Sequence, residues 1–456
     1  MRLRRAIRVF PPPGWVLATV LLALAGCASY SDSFSVIEND MAAQNFGAAL
    51  QAFEKQRYPK RDQVVHLLNK AMLERMSGDF AASNRTFEAA KASMDELYGV
   101  SIREQALSFA INDATRSYTG ETYEQVLVHL YTALNYLQLG DLIDARVEAL
   151  QVDERLREIT QKIPESRYTE DALARYLTGM IYEEMGERSD AMISYRQSYD
   201  AYRRYSEKYG VTVPNYLKHD LLRLSQQLGL SQVMRQYQKE FQIEHWMSAE
   251  ELAQKGELVF ILNDGLAPIK REQAATLVDP ASGHIVRISL PYFETRFTPV
   301  SGARVAAGDV SAPAELAEDI GAIAVKDLEA RMPAITARAV ARAVVKAQMA
   351  KAARESARQQ NQNNAGAAVA ALAVEIAGLV TERADTRSWL TLPSRVYLAR
   401  VPLPPGTYTV KVDLLGDYGQ IVATQEHANI TIRQGAKTYL SPHWIAPNVT
   451  TPRRPR

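Results

Sequence analysis

From about Ser31 to Trp246 apolar residues recur at helical spacing, small residues sit between aromatics, and the whole pattern repeats. Asn45-Phe46-Gly47-Ala48-Ala49 with Phe53 is matched by Gly78-Asp79-Phe80 with Ser83, Phe87 and Ala90, so that Phe46 and Phe80, like Phe53 and Phe87, stand 34 residues apart. That is the tetratricopeptide period. The pattern returns at Gly140-Asp141-Leu142 with Ala145, Ala149 and Val152, after Ala133 and Tyr136. It returns again at Gly179, Tyr182, Gly186, Ala191 and Tyr195, and more faintly at Leu228-Gly229 with Met234 and Tyr237. Small residues let paired helices approach closely while aromatics fill the space to the next pair. Successive glycines at 78, 140, 186 and 229 are 62, 46 and 43 residues apart, so the expected solenoid has long or extra helices. A generic helical bundle is the alternative.

After Trp246 the period changes. Glu257 to Leu262 is a continuous apolar strand closed by the turn signal Asn263-Asp264-Gly265, and His284 to Leu290 alternates until Pro291. Ala314 to Arg358 reads as helix, with Leu316, Ile320, Ile323 and Leu328 on one face and Pro333 opening a second helix. On that second helix Arg338, Arg342 and Lys346 form a basic stripe, which reads most simply as a solvated face. Gln359 to Asn364 is a polar hinge. Ala365 to Val380, a sixteen-residue run of mostly small apolar residues broken by Glu375, is too short for a span and reads as a buried helix. Val396 to Val401, Thr407 to Leu414, Ile421 to Ala423, Asn429 to Arg433 and Thr438 to Leu440 predict an antiparallel meander or small sandwich. The fold class is therefore α+β: a helical repeat region over 27–250, then an α/β domain over 251–445 with a helical insertion at 313–380, and a frayed tail from 446 to 456.

The leader adds an address. Arg2, Arg4, Arg5 and Arg8 precede an apolar run from Trp15 to Ala25, which is too short to span a bilayer and fits a removed secretion signal covering residues 1–26. It ends in Leu24-Ala25-Gly26-Cys27, which resembles the lipobox of bacterial lipoproteins. That resemblance implies acylation of Cys27 and cleavage before it. Ala28 is not the aspartate that retains such proteins in the inner membrane, so the expected place is the outer membrane, facing the periplasm.

Composition excludes more than it identifies. The 456 residues carry 53 basic and 52 acidic side chains, a net charge of +1, which argues against a nucleic-acid partner. Cys27 is the sole cysteine, leaving none for disulfides. The seven histidines lack metal-ligand spacing, no phosphate loop, nucleophile elbow or dinucleotide turn is present, and no cofactor is expected.

Two polar stretches stand out. The first, Asn112 to Glu124, offers Asn112, Asp113, Tyr118, Glu121, Tyr123 and Glu124 as a lining for a concave partner-binding groove, with the tyrosines as anchors. Its plainer reading is a helix cap, a turn at Gly120, and Glu121 and Glu124 opening the next helix. The second, Asp385-Thr386-Arg387-Ser388-Trp389, sets a bidentate donor beside a stacking plane, suited to a carboxylate-bearing peptide or sugar. The preferred alternative is an internal Asp385–Arg387 pair with Trp389 in the core.

Asn112 to Glu124 leading into His129 and Asn135-Tyr136-Leu137, Glu257 to Lys270, Ala324 to Lys346, and Ala384 to Pro393 together resemble a family of uncharacterised Gram-negative lipoproteins. The resemblance implies tetratricopeptide-like helices before an α/β region and no known activity. The expectation is a lipid-anchored scaffold binding a periplasmic or envelope protein, with no catalysis. The rival is a peptidoglycan-related enzyme or enzyme activator with its site near Asp385 and Arg387.

Overall fold

The computed structural model describes residues 30–31, 34–99, 113–163, 166, 168–278, 285–360 and 383–447. The leader with Cys27, Asn112, the run 365–380 and the tail beyond 447 lie outside the described residues.

The chain is α+β. Helices α1 (Ser35–Ala42), α2 (Phe46–Glu54), α3 (Gln63–Met76), α4 (Phe80–Gly99), α5 (Thr122–Leu139), α6 (Leu142–Lys162), α7 (Ala172–Glu184), α8 (Arg188–Tyr209), α9 (Asn215–Gln227), α10 (Ser231–Phe241) and the short α11 (Ala249–Ala253) come first. Consecutive members pack in pairs, α3 on α4, α5 on α6, α7 on α8 and α9 on α10. The stop-and-start signal between partners is physical. Gly140 takes the left-handed conformation, φ 78°, that ends α5, and Asp141 then caps α6 by accepting from the Asp144 N–H at 3.1 Å. Gly78, Gly186 and Gly229 also sit at positive φ. Close approach within a pair falls on Gly179, where a Cβ would stand 2.4 Å from the Tyr195 ring.

Among the described residues ten strands follow: β1 (Gly256–Asp264), β2 (Ile269–Val278), β3 (Ile285–Glu294), β4 (Gly302–Ala307), β5 (Val310–Asp319), β6 (Arg395–Leu403), β7 (Gly406–Leu415), β8 (Ile421–Ile432), β9 (Lys437–Leu440) and β10 (His443–Trp444). The long helix α12 (Ile320–Gln360) comes between β5 and β6. β2 and β3 make a separate hairpin. The others form one curled sheet in the order β10-β1-β6-β5-β4-β7-β8, with β9 also on β1. β1 is antiparallel to β6 but parallel to both β9 and β10. Every residue of β1 is buried. Leu258, Phe260 and Leu262 enter an apolar core inside the sheet with Val305, Val401 and Val412, while Val259 and Ile261 enter the core of the helices. A strand covered on both faces needs an unbroken apolar run, which explains why it does not alternate. Helices and sheet therefore share a core across the change of period at Trp246.

Several expectations are corrected. Ala314 to Asp319 is strand, not helix: the helix begins at Ile320, where the Asp319 side chain accepts from the Ala322 N–H at 2.7 Å. Pro333 does not start a second helix but lies inside α12, which continues through Gln359 and Gln360 of the expected hinge. Pro291 does not end its strand. It sits in β3, which among the described residues pairs only with β2, so the missing N–H can face an open edge. Ile421 to Ala423 and Asn429 to Arg433 are not separate strands, since β8 runs through from Ile421 to Ile432. Nor is the sheet a simple meander, because its last two strands lie beside its first. Arg342 is not solvated: it is 1 % exposed and paired with Asp113.

Candidate functional site

The two polar stretches meet. Residues 113–122 lead into the start of α5, and the strap 383–394 enters β6, with α12 and β2 close by. Both stretches line one cavity of about 540 Å³, together with Lys270 of β2 and Arg331 and Arg338 of α12.

Each candidate side chain has a definite place. Glu124 is fully buried and accepts from the Trp389 N–H at 2.7 Å, the Tyr118 hydroxyl at 2.5 Å and the Glu121 N–H at 3.1 Å. Burial, and then the neighbouring Glu121 carboxylate, push its carboxyl up to about 7. Glu121 goes the other way. Burial alone would raise it, yet the Arg331 and Lys270 cations, each bonded to one of its oxygens, hold it down at about 2. Tyr118 and Tyr123 are buried, and burial followed by the Glu124 charge raises both phenols well above their usual value. Asp113 is bidentate to Arg342, at 3.0 and 2.9 Å.

In the strap, Arg387 donates to both oxygens of Asp385, at 2.8 and 2.6 Å, to Asp62 at 2.9 Å and to the Arg61 carbonyl at 3.2 Å. Its guanidinium also lies 5.2 Å from the Tyr118 ring centre. Burial works against the charged Asp385, but Arg387 keeps its carboxyl below the usual range. Trp389 is 1 % exposed, edge-on to Phe87 and Tyr131 at 5.6 and 6.1 Å. Its indole N–H donates to Thr391 at 3.0 Å. Tyr118, Glu124, Arg387 and Trp389 thus join the two halves of the chain, Tyr123 bonds Glu124 on its own helix, and Asp113, Tyr118, Glu121 and Asp385 reach the cavity wall.

Sequence reasoning missed Lys270, Arg331 and Asp327, which complete this cluster. Asp327 accepts from the hydroxyls of Thr122 at 2.7 Å and Ser166 at 2.8 Å, and pairs with Arg331 at 3.0 Å. No local signal points to them, because Lys270 and Arg331 lie 149 and 210 residues from Glu121. A second polar network ties sheet to helices through Arg400 of β6, which bonds Glu257 at 2.7 Å, the Tyr176 hydroxyl at 2.9 Å and the carboxylate of Asp220. Among the described residues no group of histidine, cysteine and carboxylate side chains is arranged to hold a metal ion, and no helix is long and apolar enough to cross a membrane.

No protein-family profile and no curated protein matches the chain. Two solved structures of MamA are similar to part of it: MamA MSR-1 C2, at 10 % identity, TM-score 0.27, covering 46 % of this chain and 91 % of that one, and a MamA point mutant, at 11 % identity, TM-score 0.26, covering 46 % and 92 %. At those scores the overlap adds nothing to what the helix pairs show by themselves.

Proposed function

We propose that this protein is a lipid-anchored scaffold of the outer membrane, facing the periplasm, whose helical half holds an envelope protein and performs no chemistry of its own. The observation that carries the scaffold reading is an apolar stripe left open on α6. Ile143, Val147 and Leu150, at i, i+4 and i+7, are 70, 49 and 47 % exposed, although the neighbouring residues Ala145, Ala149 and Val152 bury the opposite face. A helix that keeps three large aliphatic side chains on its outer face offers a ridge for an apolar helix of the partner. The Cys27 motif supports the address.

The test has two parts. Labelled palmitate should enter the wild type and not Cys27→Ser; equal labelling of both removes the anchor. Crosslinking in the cell envelope should give a discrete adduct that an Ile143→Asp, Val147→Asp double variant loses while its melting temperature stays unchanged. The same adducts from wild type and variant would remove the scaffold reading.

A further inference from the structure

The cavity beside the start of α5 differs from an ordinary polar gap in how its charges are balanced. Three acidic residues line it, and each has both carboxylate oxygens occupied: Glu121 by Lys270 and Arg331, Asp113 by Arg342, and Asp385 by Arg387. Each acidic side chain on the wall is thus already balanced by a cation. Two cations on the wall are in the opposite condition. Arg116 and Arg338 are exposed and have no ion-pair partner among the described residues. At the cavity wall Arg331 also keeps its Nε buried without a hydrogen-bond partner, while its Nη2 bonds Glu121 and pairs with Asp327. A buried guanidinium N–H left unmade costs free energy that an incoming acceptor would recover.

We propose that this cavity binds a phosphate monoester, with the phosphoryl group held between Arg116 and Arg338 and accepting from Arg331. The charge argument selects the class. Two uncompensated guanidinium groups match the charge of about −1.5 to −2 on a phosphate monoester near neutral pH, whereas a carboxylate leaves one of them unbalanced. Arginine forks also fit phosphoryl oxygens in pairs. About 540 Å³ accommodates a small molecule beyond its phosphate, and Ser117 and Thr119 supply hydroxyls for its polar body. The inference is independent of the scaffold reading, since the α6 stripe takes no part in it. The phosphomonoester can belong to a soluble metabolite or to a lipid headgroup, and the ligands tested separate these sources.

Calorimetric titration of the full chain in detergent micelles at low salt compares glycerol 3-phosphate, dihexanoyl phosphatidic acid and acetate. Binding of glycerol 3-phosphate places the site with soluble esters. Binding of phosphatidic acid alone places it with a lipid headgroup. In either case acetate binds at least about tenfold more weakly, and Arg116→Gln and Arg338→Gln each lower the affinity of the bound monoester by roughly tenfold, as loss of one charge-assisted contact requires. Both arginines are exposed, so both variants should melt as the wild type does. Neither phosphomonoester binding, acetate binding as well as the esters, or an Arg116→Gln, Arg338→Gln double variant that binds at wild-type strength would each overturn the proposal.

Discussion

The backbone N–H of Trp389 donates to the side chain of Glu124 across 265 residues of chain, at 2.7 Å, so the strap before β6 is fastened to the first turn of α5. The indole of the same residue fills the gap between Phe87 and Tyr131. Trp389→Ala should therefore lower the unfolding free energy by about 3–5 kcal/mol, the usual cost of emptying a large aromatic site. Urea titration followed by circular dichroism measures it. A loss below about 1 kcal/mol would mean that the site collapses around the smaller side chain. Arg387→Ala should cost less, because no ring volume is lost.

Gly179 tests the helix pairing. A methyl group there meets the Tyr195 ring of α8 at 2.4 Å, and both partners are buried, so Gly179→Ala should destabilise by roughly 1–3 kcal/mol despite the gain in helix propensity. Ala191→Leu and Ala145→Leu, at fully buried positions, should behave alike. Unchanged melting in all three variants would show that α7 and α8, or α5 and α6, are free to move apart.

How much of this was readable in advance differs by element. The glycine-acid junctions were legible because they are local: Gly140 and Asp141 end one helix and start the next through bonds spanning three or four residues. β1 was legible because burial on both faces leaves an unbroken apolar run. β4, with Gly302, Ala303, Ala306 and Ala307, carries too few large residues to signal a strand. The end of β5, from Ala314 to Asp319, reads as helix because Leu316 and Ile320 have helical spacing although the strand ends between them, at Asp319. The cavity was half legible. Both polar stretches were identified, but their shared wall is built from Lys270 and Arg331, whose proximity to Glu121 only the fold creates.

Arg400 should be among the costliest cations to remove. Its side chain is 5 % exposed and balances Asp220 and Glu257, themselves nearly inaccessible. Arg400→Ala would leave both carboxylates buried without that partner, at a cost of about 3–5 kcal/mol. The measurement is the chemical denaturation midpoint at neutral pH. A double variant, Arg400→Met with Glu257→Gln, should recover part of the loss, and failure to recover any would show that the pair is not the source of the cost.

Stability should depend on pH through Glu121 and Glu124 with opposite signs. Glu124 is raised from 4.5 to about 7, so its contribution is full below pH 4.5 and is lost as pH rises toward 7. Glu121 is lowered from 4.5 to about 2, so its contribution is present above pH 4.5 and is lost as pH falls toward 2. Compared with Glu124→Gln, the wild type should lose stability between pH 4.5 and 7 with a slope of up to roughly 1.4 kcal/mol per pH unit. Parallel stability curves for the two proteins over that range would show that the carboxyl is not raised.

The parallel pairing of β9 and β10 with β1 sets an order of events during folding. Asn263 bonds Ser441, 178 residues further on, at 3.1 Å, and until that distant segment docks one side of β1 offers bare amides and carbonyls. A chain halted anywhere before Lys437 would present an apolar strand with an open flank, which is the template on which intermolecular strand addition begins. Truncations that remove β9 and β10 are therefore expected to yield aggregating rather than shortened working protein.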